Sequence, residues 1–180
     1  NIGEVIVAAE DQEIVNDVKN NGGNAILTSD KHKTGTDRIY EAYQKLKLEN
    51  IDFIMNLQGD EPAINIQDII KLNQMMIDHK AEIGTLAAKI ENKLDLANEN
   101  IVKVITQNNL KDDTFSHAKT FLRKSEDALN IYHHIGIYCY STEILKNFVE
   151  LAQSKNEIEN RLEQLRALDN NIKINVALAS

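Results

Sequence analysis

Ile51-Asp52-Phe53-Ile54-Met55-Asn56-Leu57-Gln58-Gly59-Asp60-Glu61-Pro62 joins an apolar run to a polar, glycine-containing turn near the first third of the chain. Its apolar run, Ile51 to Leu57, holds β-branched and aromatic residues and stops at Gly59, as a buried strand ending in a turn does. In an open α/β sheet, ligands bind beyond the carboxyl ends of the strands, so Asp60 stands where a ligand would be met. A carboxylate there can ligate a Mg²⁺ that also binds substrate phosphates, because Mg²⁺ favours a few carboxylates plus phosphate oxygens. The plain alternative is an Asx-type turn after a strand, with Pro62 fixing the next segment. Spacing alone leaves both readings open.

On either side of this stretch the chain alternates strand and helix patterns. Val5–Ala9 reads as a strand. Glu10, Asp11 and Gln12 open a helix with Ile14, Val15 and Val18 on one face, and Gly22-Gly23 closes it. A strand over Asn24–Thr28, a polar loop over Ser29–Thr34 and a helix begun by Gly35-Thr36-Asp37 follow. That helix places Ile39, Ala42, Tyr43 and Leu46 at i, i+3, i+4 and i+7. After the Ile51–Leu57 strand come a helix over Ile64–His79 and a strand over Ile83–Ile90. The βαβαβαβ order implies a largely parallel sheet with helices on both faces. Beyond it the pattern changes. Short strands are expected at Ile101–Ile105 and Ala118–Leu122, a stronger one at Ile135–Tyr140, helices at Thr142–Ala152 and Glu157–Leu168, and a half-buried strand at Ile172–Leu178. With no repeat, linker or low-complexity segment, 180 residues read as one domain.

Composition narrows the class. A 42% hydrophobic and 27% charged chain is globular and long enough to bury a core. The net charge of -8 argues against nucleic acid or anionic membrane as a partner, yet leaves room for a local basic pocket. The lone Cys139 excludes an internal disulfide framework and a cysteine zinc set. The apolar runs are too short to span a membrane, and the first residues lack a signal-peptide layout. A cytoplasmic protein with no membrane insertion is the expectation.

Three further stretches carry chemistry, each with a plainer reading. His32-Lys33-Thr34-Gly35-Thr36-Asp37-Arg38 opens a helix whose free N–H groups and dipole suit a polar ligand, and it has the donors and acceptors a pyrimidine edge needs. As mere architecture, Thr36 or Asp37 caps the helix and Arg38 is a solvated charge. His133-His134-Ile135-Gly136-Ile137-Tyr138 enters a strand. The pair can be a hydrogen-bonded surface pair, or His134 and Tyr138, on one side of the strand, can bind a polyhydroxylated or carboxylate ligand. Glu159, Glu163, Gln164 and Arg166 would share a helix, with Glu163 and Arg166 an i,i+3 pair, either as a solvated face or as part of a site. Lys103 and Arg123 are cations in strand-like segments that can meet an anion or snorkel at an edge.

Together and in order, these stretches resemble the 3-deoxy-manno-octulosonate cytidylyltransferases, or CMP-Kdo synthetases. The matching residues are Val7-Ala8-Ala9-Glu10 (for a usual V-A-T-D), Gly22-Gly23, His32-x-Thr34-Gly35-Thr36-Asp37-Arg38 and Gln58-Gly59-Asp60-Glu61-Pro62. Val102-Lys103-Val104, His134-Ile135-Gly136-Ile137-Tyr138 and Leu162-Glu163-Gln164-Leu165-Arg166 complete the set. The resemblance implies a three-layer αβα nucleotidyltransferase (GT-A-like, Rossmann-like) fold with a mostly parallel mixed sheet. The implied reaction is CTP plus Kdo to CMP-Kdo and pyrophosphate, with Mg²⁺ as cofactor and a homodimer as the usual assembly. By that likeness His32, Thr34, Gly35, Thr36, Asp37 and Arg38 hold cytidine and ribose. Asp60 ligates the metal. Arg123 acts with it in catalysis, and Gln58, Arg123, His134, Tyr138, Glu163 and Gln164 line the sugar pocket.

Two parts of the family pattern are not among the 180 residues: an opening strand and phosphate-gripping loop of the kind P-A-R-x-x-S-x-R-L-P-G-K-P-L, and a late V-D-T-x-x-D-L with a second metal carboxylate. The expectation is a chain shorter than the full enzyme, with a strand edge near Val5–Ala9 or Leu57 left to pair. Arg123–Asn130 is also short and lacks the usual Ile-Pro after the Arg. The alternatives are a cytidylyltransferase for another acidic, sialic-acid-like sugar and a non-catalytic nucleotide-binding remnant.

Overall fold

The computed structural model describes residues 3–59, 64–126 and 129–180. Asp60, the expected metal ligand, lies outside the described residues, as do Glu61 and Pro62. The packing of the chain groups it into two compact units, Asn1–Asp52 and Phe53–Ser180.

In the first unit β1 (Ile6–Ala9) pairs in parallel with β2 (Asn24–Leu27), joined by α1 (Gln12–Asn20). Asp11 caps α1, its carboxylate accepting from the Glu13 N–H at 2.7 Å, which satisfies a donor that the helix itself cannot. The closing turn needs Gly22 at φ +82°, a region only glycine enters freely. α2 (Gly35–Leu46) follows β2 and buries Thr36 and Ala42. Its cap is Thr34, whose hydroxyl accepts from the Asp37 N–H at 3.2 Å. The expected cap, Thr36 or Asp37, is therefore displaced upstream, because Gly35 already belongs to the helix.

The second unit is a six-stranded sheet in the order β3-β7-β4-β8-β6-β5: β3 (Phe53–Asn56), β4 (Ile83–Ala88), β5 (Lys103–Thr106), β6 (Ser116–Leu122), β7 (Ile131–Ser141) and β8 (Ile174–Leu178). β4 and β8 run parallel. β7 enters antiparallel between β3 and β4, pairing Asn56 with Tyr138 on one side and Thr85 with Tyr138 on the other. The expected mostly parallel ladder is thus interrupted: β3, β4 and β8 point one way, but within this sheet the parallel ladder is confined to β4 and β8. The reason is β7, a long strand that returns late in the chain and fills the place between two strands that a helix connects. Its first residues also pair with β5, which pairs with β6, so strands β7, β4, β8, β6 and β5 close a ring of hydrogen bonds.

Helices cover both faces of β7. α3 (Ile66–His79) packs Leu72, Met75 and Met76 against Leu86, Ile137, Cys139 and Ala177. On the other face Phe148 of α4 (Thr142–Glu150) meets Tyr140, ring centroids 6.0 Å apart. The αβα layering expected of the class is present here. A Cβ on Gly84 would lie 2.4 Å from the Met76 sulfur and 3.1 Å from Leu72, so this glycine sets how closely α3 lies on β4.

The last helical segment differs from expectation. Glu157–Leu168 is not one helix but two: α5 (Lys155–Asn160) and α6 (Leu165–Asp169). Arg161 takes φ 54° and turns the chain. Ser154 starts α5 earlier than expected, in a capping box with Glu157. Glu159 and Glu163 consequently share no helix.

Candidate active site

The His32–Arg38 stretch is knit into the first unit by charge. Arg38 donates to the Thr28 hydroxyl at 2.8 Å and the Ser29 carbonyl at 3.2 Å, and pairs with Glu10. It is therefore not a solvated charge: it ties the ends of β1 and β2 to the start of α2. His32 pairs through Nε2 with Glu41, which also takes the Ser29 N–H at 2.8 Å and the Lys45 ammonium at 2.6 Å. The hydrogen bond from Lys45, then that from Ser29, then His32 hold the Glu41 carboxyl down to about 2. The stretch that carries Thr34, Gly35, Thr36 and Asp37 is thus anchored at His32, before the helix, and again at Arg38, in its first turn. A firm loop at a helix N-terminus, with backbone donors and short polar side chains, suits a planar polar ligand edge. No pairing role follows from the sequence for Glu41 or Glu10. Glu10 stands in the Val7–Glu10 motif, but Glu41 lies mid-helix with no local signal.

In the second unit one face of β7 gathers the other candidates. His134, Gly136, Tyr138 and Tyr140 alternate with the core-facing Ile137 and Cys139. The His134 and Tyr138 rings stand 5.4 Å apart, and Tyr138 and Tyr140 stack at 5.8 Å. Gln58 lies over the bare Cα of Gly136, its Cγ 3.9 Å from where a Cβ would be. His134 and Tyr138 therefore share a side, as the strand alternation implied, and Gln58 lies over Gly136, which stands between them in sequence.

His134 is buried, its Nε2 3.0 Å from the Thr85 hydroxyl. Burial, with help from the neighbouring His133, pushes its imidazole down to about 3, so it is neutral near pH 7. The Tyr138 hydroxyl is pushed well up by burial, Tyr140 and the Glu163 charge and is a neutral donor. The buried Asn56 amide nitrogen and the Tyr138 hydroxyl have no hydrogen-bond partner among the described residues. Such groups cost about 1–3 kcal/mol each when left unsatisfied, and the two residues face each other across β3 and β7.

Arg123 is placed differently. Its Nε donates to the Asn160 carbonyl at 3.1 Å, Nη1 to Glu99 at 3.2 Å and Nη2 to Arg161 at 3.0 Å. It clasps the C-terminal end of α5, where cations complement the dipole. The Arg123 carbonyl is itself held by Lys103 at 2.7 Å, and Lys103 also donates to Asn98 at 2.6 Å. Lys103 is wholly buried, which pushes its ammonium down; it does not snorkel. Glu163 and Gln164 lie in the turn between α5 and α6, and Gln164 begins α6 without a side-chain cap bond. Among the described residues no cluster of His, Cys, Asp or Glu could hold a metal ion, and no helix is long and apolar enough to cross a membrane.

A family profile described as cytidylyltransferase matches residues 1–174. The 3-deoxy-manno-octulosonate cytidylyltransferase of Thermodesulfovibrio yellowstonii is 45% identical, over 98% of this chain and 74% of its own length. That of Parabacteroides distasonis is 38% identical over 98% of this chain and 74% of its length. A solved CMP:2-keto-3-deoxy-manno-octonic acid synthetase complexed with CTP superposes with a TM-score of 0.86 at 33% identity, covering 98% of this chain and 72% of that one. An apo UDP-glucose pyrophosphorylase, at 15% identity and TM-score 0.57, shares the fold alone. The chain belongs to the cytidylyltransferase family and, within it, to the 3-deoxy-manno-octulosonate cytidylyltransferases.

Proposed function

We propose that this protein transfers CMP from CTP to 3-deoxy-D-manno-octulosonate (Kdo), giving CMP-Kdo and pyrophosphate for lipopolysaccharide biosynthesis. The observation that carries this reading is the likeness to the CTP-complexed synthetase over 98% of the chain. In it, the anchored loop of His32, Thr34, Gly35, Thr36, Asp37 and Arg38 recognises cytidine and its ribose. The β7 face with Gln58, His134 and Tyr138 meets the sugar, with Glu163 and Gln164 beside it. Arg123, off the β7 face, shares in shaping the sugar side from the end of α5, a reading its bonds to three carbonyls support.

The chemistry asks mainly for positioning. The anomeric hydroxyl of Kdo attacks the α-phosphorus of CTP in line with the departing pyrophosphate, forming one P–O bond as another breaks; the hydroxyl proton leaves to solvent. No covalent enzyme intermediate is needed, and fixing two reactants at a near-attack distance is worth roughly 7–11 kcal/mol in well-oriented reactions. Neutral His134 and Tyr138 orient hydroxyls without adding charge. Mg²⁺ on Asp60 belongs to the proposal; when bound, the ion neutralises charge developing on the phosphates. A single nucleotidyltransferase domain over residues 1–180, a homodimer and a cytoplasmic site of action are parts of the same reading.

The test is pyrophosphate release from CTP, UTP, ATP and GTP with Mg²⁺ and a panel of acidic sugars. CTP with Kdo is expected to lead, with UTP the nearest competitor, since a base-edge site penalises analogues that leave its polar groups unpaired. Equal use of a purine nucleotide, or a preference for a sialic-acid-like sugar over Kdo, contradicts the proposal.

A further inference from the structure

The turn that carries Glu163 and Gln164 is flanked by a buried charge pair, Glu157 and Arg166. Arg166 is 3% exposed and Glu157 4%. The guanidinium reaches Glu157 twice, Nε to Oε2 at 2.8 Å and Nη2 to Oε1 at 2.5 Å. Glu157 is fixed in turn by the Ser154 N–H at 3.1 Å and the Gln153 amide at 3.2 Å. Burial pushes the Glu157 carboxyl up, but the bonds from Arg166 and Gln153 and the Arg166 charge outweigh it and carry the group down. The same Arg166 Nη2 stands 3.8 Å from Glu163 Oε1. Its guanidinium lies 4.7 Å over the Phe148 ring, and Phe148 leads through Tyr140 to Tyr138.

A buried ion pair seldom adds net stability, because desolvation offsets the attraction; apolar side chains of similar volume often serve as well. Two apolar residues could join α5 to α6. They could not present a fixed positive charge to Glu163. We propose that Arg166 is a positioning residue for the sugar end of the reaction: anchored by Glu157, it fixes the Glu163 carboxylate at the start of α6 and so sets the affinity for the acidic sugar without touching it. This rests on the reading above that Glu163 and Tyr138 meet the sugar.

The test compares the unsubstituted protein with Glu157→Leu/Arg166→Met, which removes both buried charges, and with Arg166→Lys, which keeps the charge and loses the fork. KM for Kdo is expected to rise about tenfold in the double variant and less in Arg166→Lys, with KM for CTP unchanged, the pattern of lost ground-state binding to one substrate. Tyrosine ¹³Cζ NMR without sugar gives a readout independent of turnover: the Tyr138 resonance and its titration are expected to move in both variants as Glu163 is released. An unaltered Tyr138 signal, or equal rises in KM for both substrates, overturns the proposal. If the double variant fails to fold, Arg166→Lys carries both measurements. If the unsubstituted protein makes no CMP-Kdo, the functional reading fails, and the Tyr138 signal still decides whether Arg166 positions Glu163.

Discussion

His134 shows how burial sets the chemistry of a single residue. Its imidazole is pushed down to about 3 from 6.5 by burial. The unfolded chain binds that proton more readily, so between those values acid favours unfolding. Stability from this group is fully present above about pH 6.5 and lost as pH falls toward 3; the gap is worth at most roughly 5 kcal/mol. Glu41, held down to about 2, adds a loss of the same sign below about pH 4.5. Urea-unfolding midpoints measured from pH 7 to pH 4 are expected to fall, and His134→Gln, which keeps a polar partner for Thr85, is expected to flatten the slope between pH 6.5 and 4.5. An unchanged slope in that variant would show that His134 is not the titrating group. For catalysis, Asp60→Asn is expected to lower Mg²⁺-dependent kcat roughly a hundredfold or more, since metal charge supplies several kcal/mol in such transition states, while unfolding stays cooperative. Turnover at the unsubstituted rate would remove Asp60 from the metal site.

Packing density decides the element scale. Gly84→Ala would drive a methyl into Met76 and Leu72. Overpacking of this kind typically costs about 1–3 kcal/mol, so thermal melts are expected to show a clear loss of stability; a neutral result would mean that α3 shifts freely over β4. Elements whose information is local were legible in the sequence. Ile39, Ala42, Tyr43 and Leu46 marked α2, and the Ile51–Leu57 run marked the strand observed over Phe53–Asn56. The break between α5 and α6 was not legible, because Arg161 bends the chain at φ 54° without a glycine or proline to announce it. One signal was available: Ser154 three residues before Glu157 has capping-box spacing and would have started the helix at Lys155.

Across the whole molecule, strand direction was the hidden variable. Hydrophobic alternation finds β7 but cannot say that it inserts between β3 and β4, since that choice is made by pairing between residues 80 or more positions apart for Asn56 and Tyr138. The alternation did say that His134 and Tyr138 share a side, and Gln58 over Gly136 joins them there. Single motifs could not reveal that Arg123 and Lys103 spend their donors on carbonyls, because that depends on where three distant segments meet. The family likeness, by contrast, was legible because many short motifs fall in one order along the chain.

CMP transfer from CTP to Kdo is the activity proposed for this protein. The most direct test is phosphorus NMR of the protein incubated with CTP, Mg²⁺ and Kdo. Loss of the CTP resonances is expected, with equal growth of pyrophosphate and of one phosphodiester signal coupled to the anomeric carbon of Kdo. CTP left intact, or pyrophosphate released with free CMP and no phosphodiester, would contradict it.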